Sequence, residues 1–159
     1  MTAVRSITEQ DQQWVRDFTR DQWGSEIVVA HGAIYQAHKL PGFIAEDKRG
    51  NKVGLITYDI NEKACEIVTL NSLMERQGVG TALIEEVKTE AQKQGCNRLW
   101  LITTNDNLPA LKFYQKRGFQ ISAVHPDAVT ESRKVKPEIP LVGLEGIPLR
   151  DEIELTMEL

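Results

Sequence analysis

The chain has 159 residues, of which 41% are hydrophobic, so it can bury one core and does not require a second domain. Its formal net charge of −4 argues against a partner such as nucleic acid or an anionic membrane, because binders of these depend on clustered Lys and Arg. No apolar run approaches the roughly 20 residues of a membrane span, and the polar start MTAVRSITEQDQQW does not resemble a signal peptide. We therefore predict a soluble, cytoplasmic protein with a single domain over residues 1–159.

The first quarter of the chain predicts a short strand followed by a helix. Residues 3–7 are typical of a strand, and Thr8 with Asp11 gives a helix N-cap signal. The helix that follows carries Trp14, Val15 and Phe18 on one face, and Gly24 is a natural stop. Residues 25–40 stay open, because EIVVA favours a strand whereas AIYQAHK is compatible with a helical turn.

The middle of the chain predicts an antiparallel meander. Three β-rich segments, GFIAED, KVGLITYDI and CEIVTL, are separated only by the short polar stretches DKRGN and NEK. Connections this short join neighbouring antiparallel strands.

The second half predicts alternating helices and strands. Four apolar residues fall four apart over residues 78–94, which indicates an amphipathic helix closed by Gly95. RLWLITT follows as a strand buried on both faces. Asn107 then caps a second helix that ends at Gly118, and FQISAV and the alternating DEIELTMEL are strands. Residues 125–150 contain four of the six prolines and are expected to form an ordered insertion. The element order predicts an α+β fold with a mixed central sheet.

Two glycines stand at the entrance of the first of these helices, in ERQGVGTALIEEV. The start of a helix exposes unpaired N–H groups and partial positive charge, and Gly78 and Gly80 carry no side chain to keep an anion away. A phosphate site and a simple turn are both compatible with this feature alone. The P-loop pattern fails because no Lys-Ser or Lys-Thr follows, and the dinucleotide pattern fails because Leu83 occupies its third glycine position.

A second motif lies downstream, where Asn107, Ala110, Tyr114, Gly118 and Phe119 have the spacing NxxAxxxYxxxGF. Together with the meander and the glycine-led helix, this chain resembles the GNAT superfamily of acetyl-CoA-dependent N-acetyltransferases. The resemblance extends over most of the chain and implies a GNAT-like mixed sheet flanked by helices.

The resemblance also implies acetyl-CoA as co-substrate and a set of residues that hold it. The family's pyrophosphate motif is usually [Q/R]xxGx[G/A], whereas this chain has Glu75 at the first position, so no side-chain contact is expected from that residue. Arg76 is a candidate for the missing positive charge, and a solvated surface arginine is the alternative. The implied cofactor-binding residues are Val68, Leu70, Arg76, Gln77, Gly78, Val79, Gly80, Thr81, Asn107 and Ala110.

For catalysis the resemblance implies three further roles. A backbone N–H within Val68–Leu70 would stabilise negative charge on the thioester oxygen. Tyr114 matches the family's general acid, with a purely structural core tyrosine as the alternative. Glu66 is the candidate base, because simple alternation gives it the same parity as Val68 and Leu70; an exposed strand glutamate, with water as base, is the alternative.

The remaining reactive residues predict no separate site. Cys65 and Cys96 lack CxxC spacing and are expected to be reduced, buried thiols, and the three histidines have no metal-ligand spacing, so no metal is expected. The expected acceptor is a primary amine of a small molecule or peptide, and a non-catalytic acyl-CoA sensor is the alternative. Residues 125–150 are expected either to cover the acceptor pocket or to form a homodimer surface.

Overall fold

The structure is a computed structural model that describes residues 2–74 and 78–159. The predictions for Glu75, Arg76 and Gln77 lie outside these ranges. The strands are β1 Ala3–Ser6, β2 Ile27–Ala30, β3 Ala33–Gln36, β4 Gly42–Glu46, β5 Lys52–Asn61, β6 Ala64–Ser72, β7 Arg98–Thr104, β8 Gln120–His125 and β9 Glu152–Glu158. The α-helices are α1 Gln12–Trp23, α2 Val79–Lys93, α3 Leu108–Lys116 and α4 Ala128–Val135.

The chain divides into two compact units. The first comprises Met1–Val28, Tyr35–Leu99 and Leu159, and the second comprises Val29–Ile34 and Trp100–Glu158. The single-domain assignment over residues 1–159 stays a prediction. Within the described ranges, no helix is both long and apolar enough to cross a membrane.

The first unit is built on the predicted meander. Its strands take the order β1-β4-β5-β6, and each pairs antiparallel with its neighbour, as the short connections from β4 to β5 and from β5 to β6 predict. Val15 and Phe18 of α1 form a buried cluster with Ala37, Ile44 and Leu55. The apolar residues of α2, at four-residue intervals, are also buried, which confirms the amphipathic pattern: Val79, Leu83, Val87 and Ala91.

The start of α1 is fixed by a charged network. Both carboxylate oxygens of Asp11 accept hydrogen bonds from Arg5, at 2.8 and 2.9 Å, and the backbone N–H of Thr8 donates to the same carboxylate at 2.8 Å. Arg5 holds the pKa of Asp11 well below its usual range, so the carboxylate is charged at neutral pH. The N-terminal signal read from Thr8 and Asp11 is thereby confirmed, with a short 3-10 turn over Glu9–Asp11 before the helix.

The open segment 25–40 forms a separate two-stranded sheet. Strands β2 and β3 are joined at His31 and Gly32, both of which have positive φ. Such angles are typical of the tight turns that match the twist of a hairpin. A 3-10 turn over Ala37–Lys39 follows, so the β-branched EIVVA and the following AIYQ are extended while AHK is helical.

In the second unit β9 lies between β7 and β8, and β8 pairs antiparallel with β9. Helix α3 begins after Asn107, as predicted. Two expectations about burial were wrong. Strand β7 is not buried on both faces, since only Leu99 and Leu101 are fully buried. Glu152 does not face solvent, because its carboxylate is buried and accepts the backbone N–H of His31 at 3.1 Å.

The 125–150 insertion is ordered, as expected. It contains α4, a 3-10 turn over Leu144–Gly146 and a bridge between Val142 and Pro148. The Arg133 guanidinium donates hydrogen bonds to the carbonyls of Ile139, Pro140 and Leu149.

Candidate active site

A β-bulge on β6 sets the arrangement of the candidate catalytic residues. Thr57 pairs with Thr69, but the next residue of β5, Tyr58, pairs with Ile67, so Val68 is an extra residue on β6. Side chains on either side of such a bulge no longer follow simple alternation. Glu66 therefore shares a face with Thr69, and the expectation that it shares one with Leu70 was wrong.

Glu66 is buried, with 4% of its surface exposed, so the exposed-glutamate alternative was also wrong. The hydroxyl of Tyr35 donates a hydrogen bond of 2.7 Å to Glu66 Oε1. Asp59 pairs directly with Glu66 across the two strands and is half-buried. Burial and the hydrogen bond to Glu66 raise the pKa of Tyr35 above its usual range, so its hydroxyl stays a proton donor.

Two more polar contacts continue along the same face of β6. The hydroxyls of Thr57 and Thr69 lie 2.6 Å apart and are buried. Farther along, Trp23 Nε1 donates to Asn71 Oδ1 at 2.7 Å. The face thus presents the buried Glu66 carboxylate beside the half-buried Asp59, followed by neutral polar groups, and a carboxylate in such a place can accept a proton from a bound ligand.

Helix α2 begins at a glycine: Gly78 is the N-cap, with φ of 75°, and the first turn contains no acidic residue. Among residues 2–74 and 78–159, no side chain caps this turn, and a Cβ atom at Gly78 would meet no atom within 4 Å. The first N–H groups of a helix lack intrahelical partners, so the backbone of Val79 and Gly80 can offer donors to an anion. These features fit the pyrophosphate of acetyl-CoA.

Gly54 on β5 lies against the first turns of α2, and the sequence analysis did not single it out. A Cβ atom there would lie 2.7 Å from Val79 Cγ1 and 3.2 Å from Leu83 Cδ1. The first turn of α2 can therefore approach β5 closely only because this position has no side chain.

The second unit holds the predicted residues of α3. Asn107 Oδ1 accepts the backbone N–H of Ala110 at 3.2 Å, so both residues take part in the helix cap. Tyr114 is only 9% exposed, and its ring meets Phe113 and Phe119 edge-on, with centroids 5.2 and 5.5 Å away. Burial raises the pKa of Tyr114 above its usual range, which keeps the phenol protonated at neutral pH.

The cysteines do not form a nucleophilic site. Cys65 and Cys96 are free and buried, as predicted, and burial raises the pKa of Cys65 to about 12. A thiol that stays protonated at neutral pH is a poor nucleophile, so an acyl-cysteine route is disfavoured. Within residues 2–74 and 78–159, no three His, Cys, Asp or Glu side chains are grouped so that they could hold a metal ion.

Comparison with known proteins assigns this chain to a family. The model of the acetyltransferase (GNAT) family matches residues 9–119. The chain belongs to the GNAT acetyltransferase family. A relative in Bacillus subtilis (strain 168), the uncharacterized protein YdhI, is 47% identical over 153 residues, which cover 96% of each chain.

Solved structures share the GNAT fold over the full length of the chain. An IAA acetyltransferase from Bacillus cereus ATCC 14579 matches with a TM-score of 0.73 and 21% identity, covering 100% of both chains. A GNAT family acetyltransferase from Elizabethkingia anophelis, solved with acetyl-CoA bound, has a TM-score of 0.73 and 20% identity and covers 99% of this chain and 98% of its own. The α+β, GNAT-like fold predicted from the sequence is confirmed.

Proposed function

We propose that this GNAT protein is an N-acetyltransferase that moves the acetyl group of acetyl-CoA to a primary amine of a small molecule or peptide by direct attack. The observation that carries the proposal is the buried Glu66 carboxylate, held by Tyr35 just before the bulge of β6. A free alkylammonium is mostly charged at neutral pH and must lose a proton before it can attack. Glu66 accepts that proton in this proposal.

The bulge also supports the proposed oxyanion donor. An extra residue interrupts the regular hydrogen bonding of a strand pair, so backbone groups next to it can be directed elsewhere. We propose that an N–H within Val68–Leu70 stabilises the negative charge that develops on the carbonyl oxygen. Such a donor commonly contributes about 3 kcal/mol.

Acetyl-CoA, when bound, supplies the activated acetyl group as a thioester. The lack of a capping side chain among the described residues supports the proposal that backbone N–H groups of Gly78, Val79 and Gly80 hold its pyrophosphate. Contributions from Arg76, Gln77 and Thr81 stay predictions.

The predictions for α3 stay proposals as well. Asn107 and Ala110 are proposed to contact the coenzyme, and Tyr114 is proposed to protonate the departing thiolate. The raised pKa of Tyr114 ensures that a proton is present, but it also makes donation to a thiolate less favourable than from an ordinary phenol.

A non-catalytic acyl-CoA sensor is the second candidate. The close packing of Tyr114 and the use of the Ala110 N–H by Asn107 favour it, because both observations give these residues structural roles. The two functions differ in turnover. Acetyl-CoA binding is measured by calorimetry, and free thiol release is followed across a panel of amines. The enzyme hypothesis is contradicted if the protein binds acetyl-CoA but no amine raises the rate of thiol release above that of hydrolysis alone.

The role of the insertion can be tested separately. Leu141, Val142 and Leu144 of the insertion are exposed, which supports a role as acceptor cover or homodimer surface. Sedimentation of the full chain with and without an acceptor distinguishes these roles. The cytoplasmic location stays a prediction.

A further inference from the structure

We infer that Tyr35 is a positioning residue that holds the Glu66 carboxylate in its charged form and in one orientation, ready to accept a proton from the acceptor amine. This inference rests on the proposed function, because Glu66 is the proposed base. It assigns a role to the segment 25–40, whose sequence left its structure open.

The contact itself is short and shielded. The Tyr35 hydroxyl lies 2.7 Å from Glu66 Oε1, and both residues belong to the first unit. Because only 4% of Glu66 is exposed, bulk water cannot readily replace a lost hydrogen bond. A charge-assisted hydrogen bond in such a place fixes the direction of the carboxylate as well as its charge.

The surrounding charges explain why a donor is needed. Asp59 pairs with Glu66 across β5 and β6, so two carboxyl groups lie side by side on one face. The adjacent Cys65 thiol is neutral at physiological pH, because burial raises its pKa to about 12. Burial and a neighbouring carboxylate both disfavour a second negative charge, whereas a hydrogen bond from a neutral hydroxyl favours it. The Tyr35 hydroxyl is such a donor.

The test is Tyr35→Phe in the full chain, which removes one oxygen and keeps the ring. Rates are measured against pH with acetyl-CoA and one amine from the panel, the same in every variant so that protonation of the amine cancels. We expect the midpoint of the acidic limb of kcat/KM to move up by about one pH unit. Activity then falls about tenfold below the original midpoint and stays within about twofold on the alkaline plateau.

A merely structural role gives a different result, because misplacement of the site lowers the rate equally at every pH. An equal loss at all pH values, or an unshifted midpoint, overturns the inference. Tyr58→Phe is the matched control: Tyr58 is also buried on the first unit but lies on the opposite face of β5 from Asp59, so its profile should match that of the wild type.

Two further measurements separate this inference from the proposed function. In a Glu66→Gln background, Tyr35→Phe should cause no further loss, since a positioning residue has nothing left to position. If Glu66→Gln retains full activity, the assignment of the base fails. If Glu66→Gln is inactive while Tyr35→Phe keeps the wild-type profile, only the inference about Tyr35 fails.

If the protein is a sensor that transfers no acetyl group, the inference can still be tested by a measurement that needs no turnover. The carboxyl carbon of Glu66 is followed by NMR in protein labelled at glutamate, and its signal is assigned by its absence in Glu66→Gln. The chemical shift of this signal should change in Tyr35→Phe, which loses the hydrogen bond, and should keep its wild-type value in Tyr58→Phe. Equal chemical shifts in Tyr35→Phe and the wild type contradict the inference.

Discussion

Gly54→Ala tests whether close contact between α2 and β5 maintains the proposed acetyl-CoA site. The added Cβ would lie 2.7 Å from Val79 Cγ1, 3.2 Å from Leu83 Cδ1 and 3.3 Å from the Asn71 carbonyl oxygen. Val79 is β-branched, so its side chain has one strongly preferred rotamer in a helix, and both Val79 and Leu83 are essentially fully buried, so neither can simply turn away. The helix entrance itself must shift.

Overpacking of this kind commonly costs about 1 to 3 kcal/mol of unfolding free energy. For a chain of this size the melting temperature should fall by about 2 to 12 °C. The shift should also weaken acetyl-CoA binding, because the N–H groups of the first turn move with the helix. Urea unfolding measures the first effect and calorimetry the second.

The double variant Gly54→Ala with Val79→Ala is the control. Val79→Ala removes Cγ1 and so relieves the shortest contact. Gly54→Ala should therefore lower the unfolding free energy by less in the Val79→Ala background than in the wild type. A Gly54→Ala protein with wild-type stability and unchanged affinity for acetyl-CoA would refute the reasoning.

Three further outcomes are expected. Tyr114→Phe should retain coenzyme A binding while acetyl transfer falls at least tenfold, and unchanged turnover across the amine panel would remove the acid assignment. Gly80→Glu should weaken acetyl-CoA binding in calorimetry, because a negative side chain would meet the pyrophosphate at the entrance of α2; undiminished affinity would contradict the site. Burial lowers the pKa of His38 below its unfolded value of about 6.5, so the unfolded chain binds protons first and unfolding free energy should fall as the pH drops below about 6.5. Urea titrations should show a weaker decline over that range in His38→Gln than in the wild type.

The sequence predicted the elements whose signals are local. The boundaries of α1, α2 and α3 follow from caps and glycines within a few residues of each helix end, and the meander follows from short polar connections between β-rich segments. These patterns act through the residue's own neighbours in the chain, so they can be recognised without knowledge of tertiary contacts.

The contacts that define the candidate site depend on distant parts of the chain. The bulge at Val68 is a property of the pairing between β5 and β6, so alternation within β6 alone misassigned the face of Glu66. Tyr35 reaches Glu66 across 31 residues, and Trp23 reaches Asn71 across 48. Gly54 gave no signal because its importance lies in the helix that packs on it.

The hydrogen bonds of Arg133 limit how strongly the path of the insertion depends on its own side chains. Its guanidinium binds main-chain carbonyls at Ile139, Pro140 and Leu149, and every amino acid offers such a carbonyl. Exposed positions such as Leu141 and Val142 can therefore be exchanged while the path of the loop is retained. The main chain of this segment is therefore held by contacts that do not depend on which side chains it exposes to solvent.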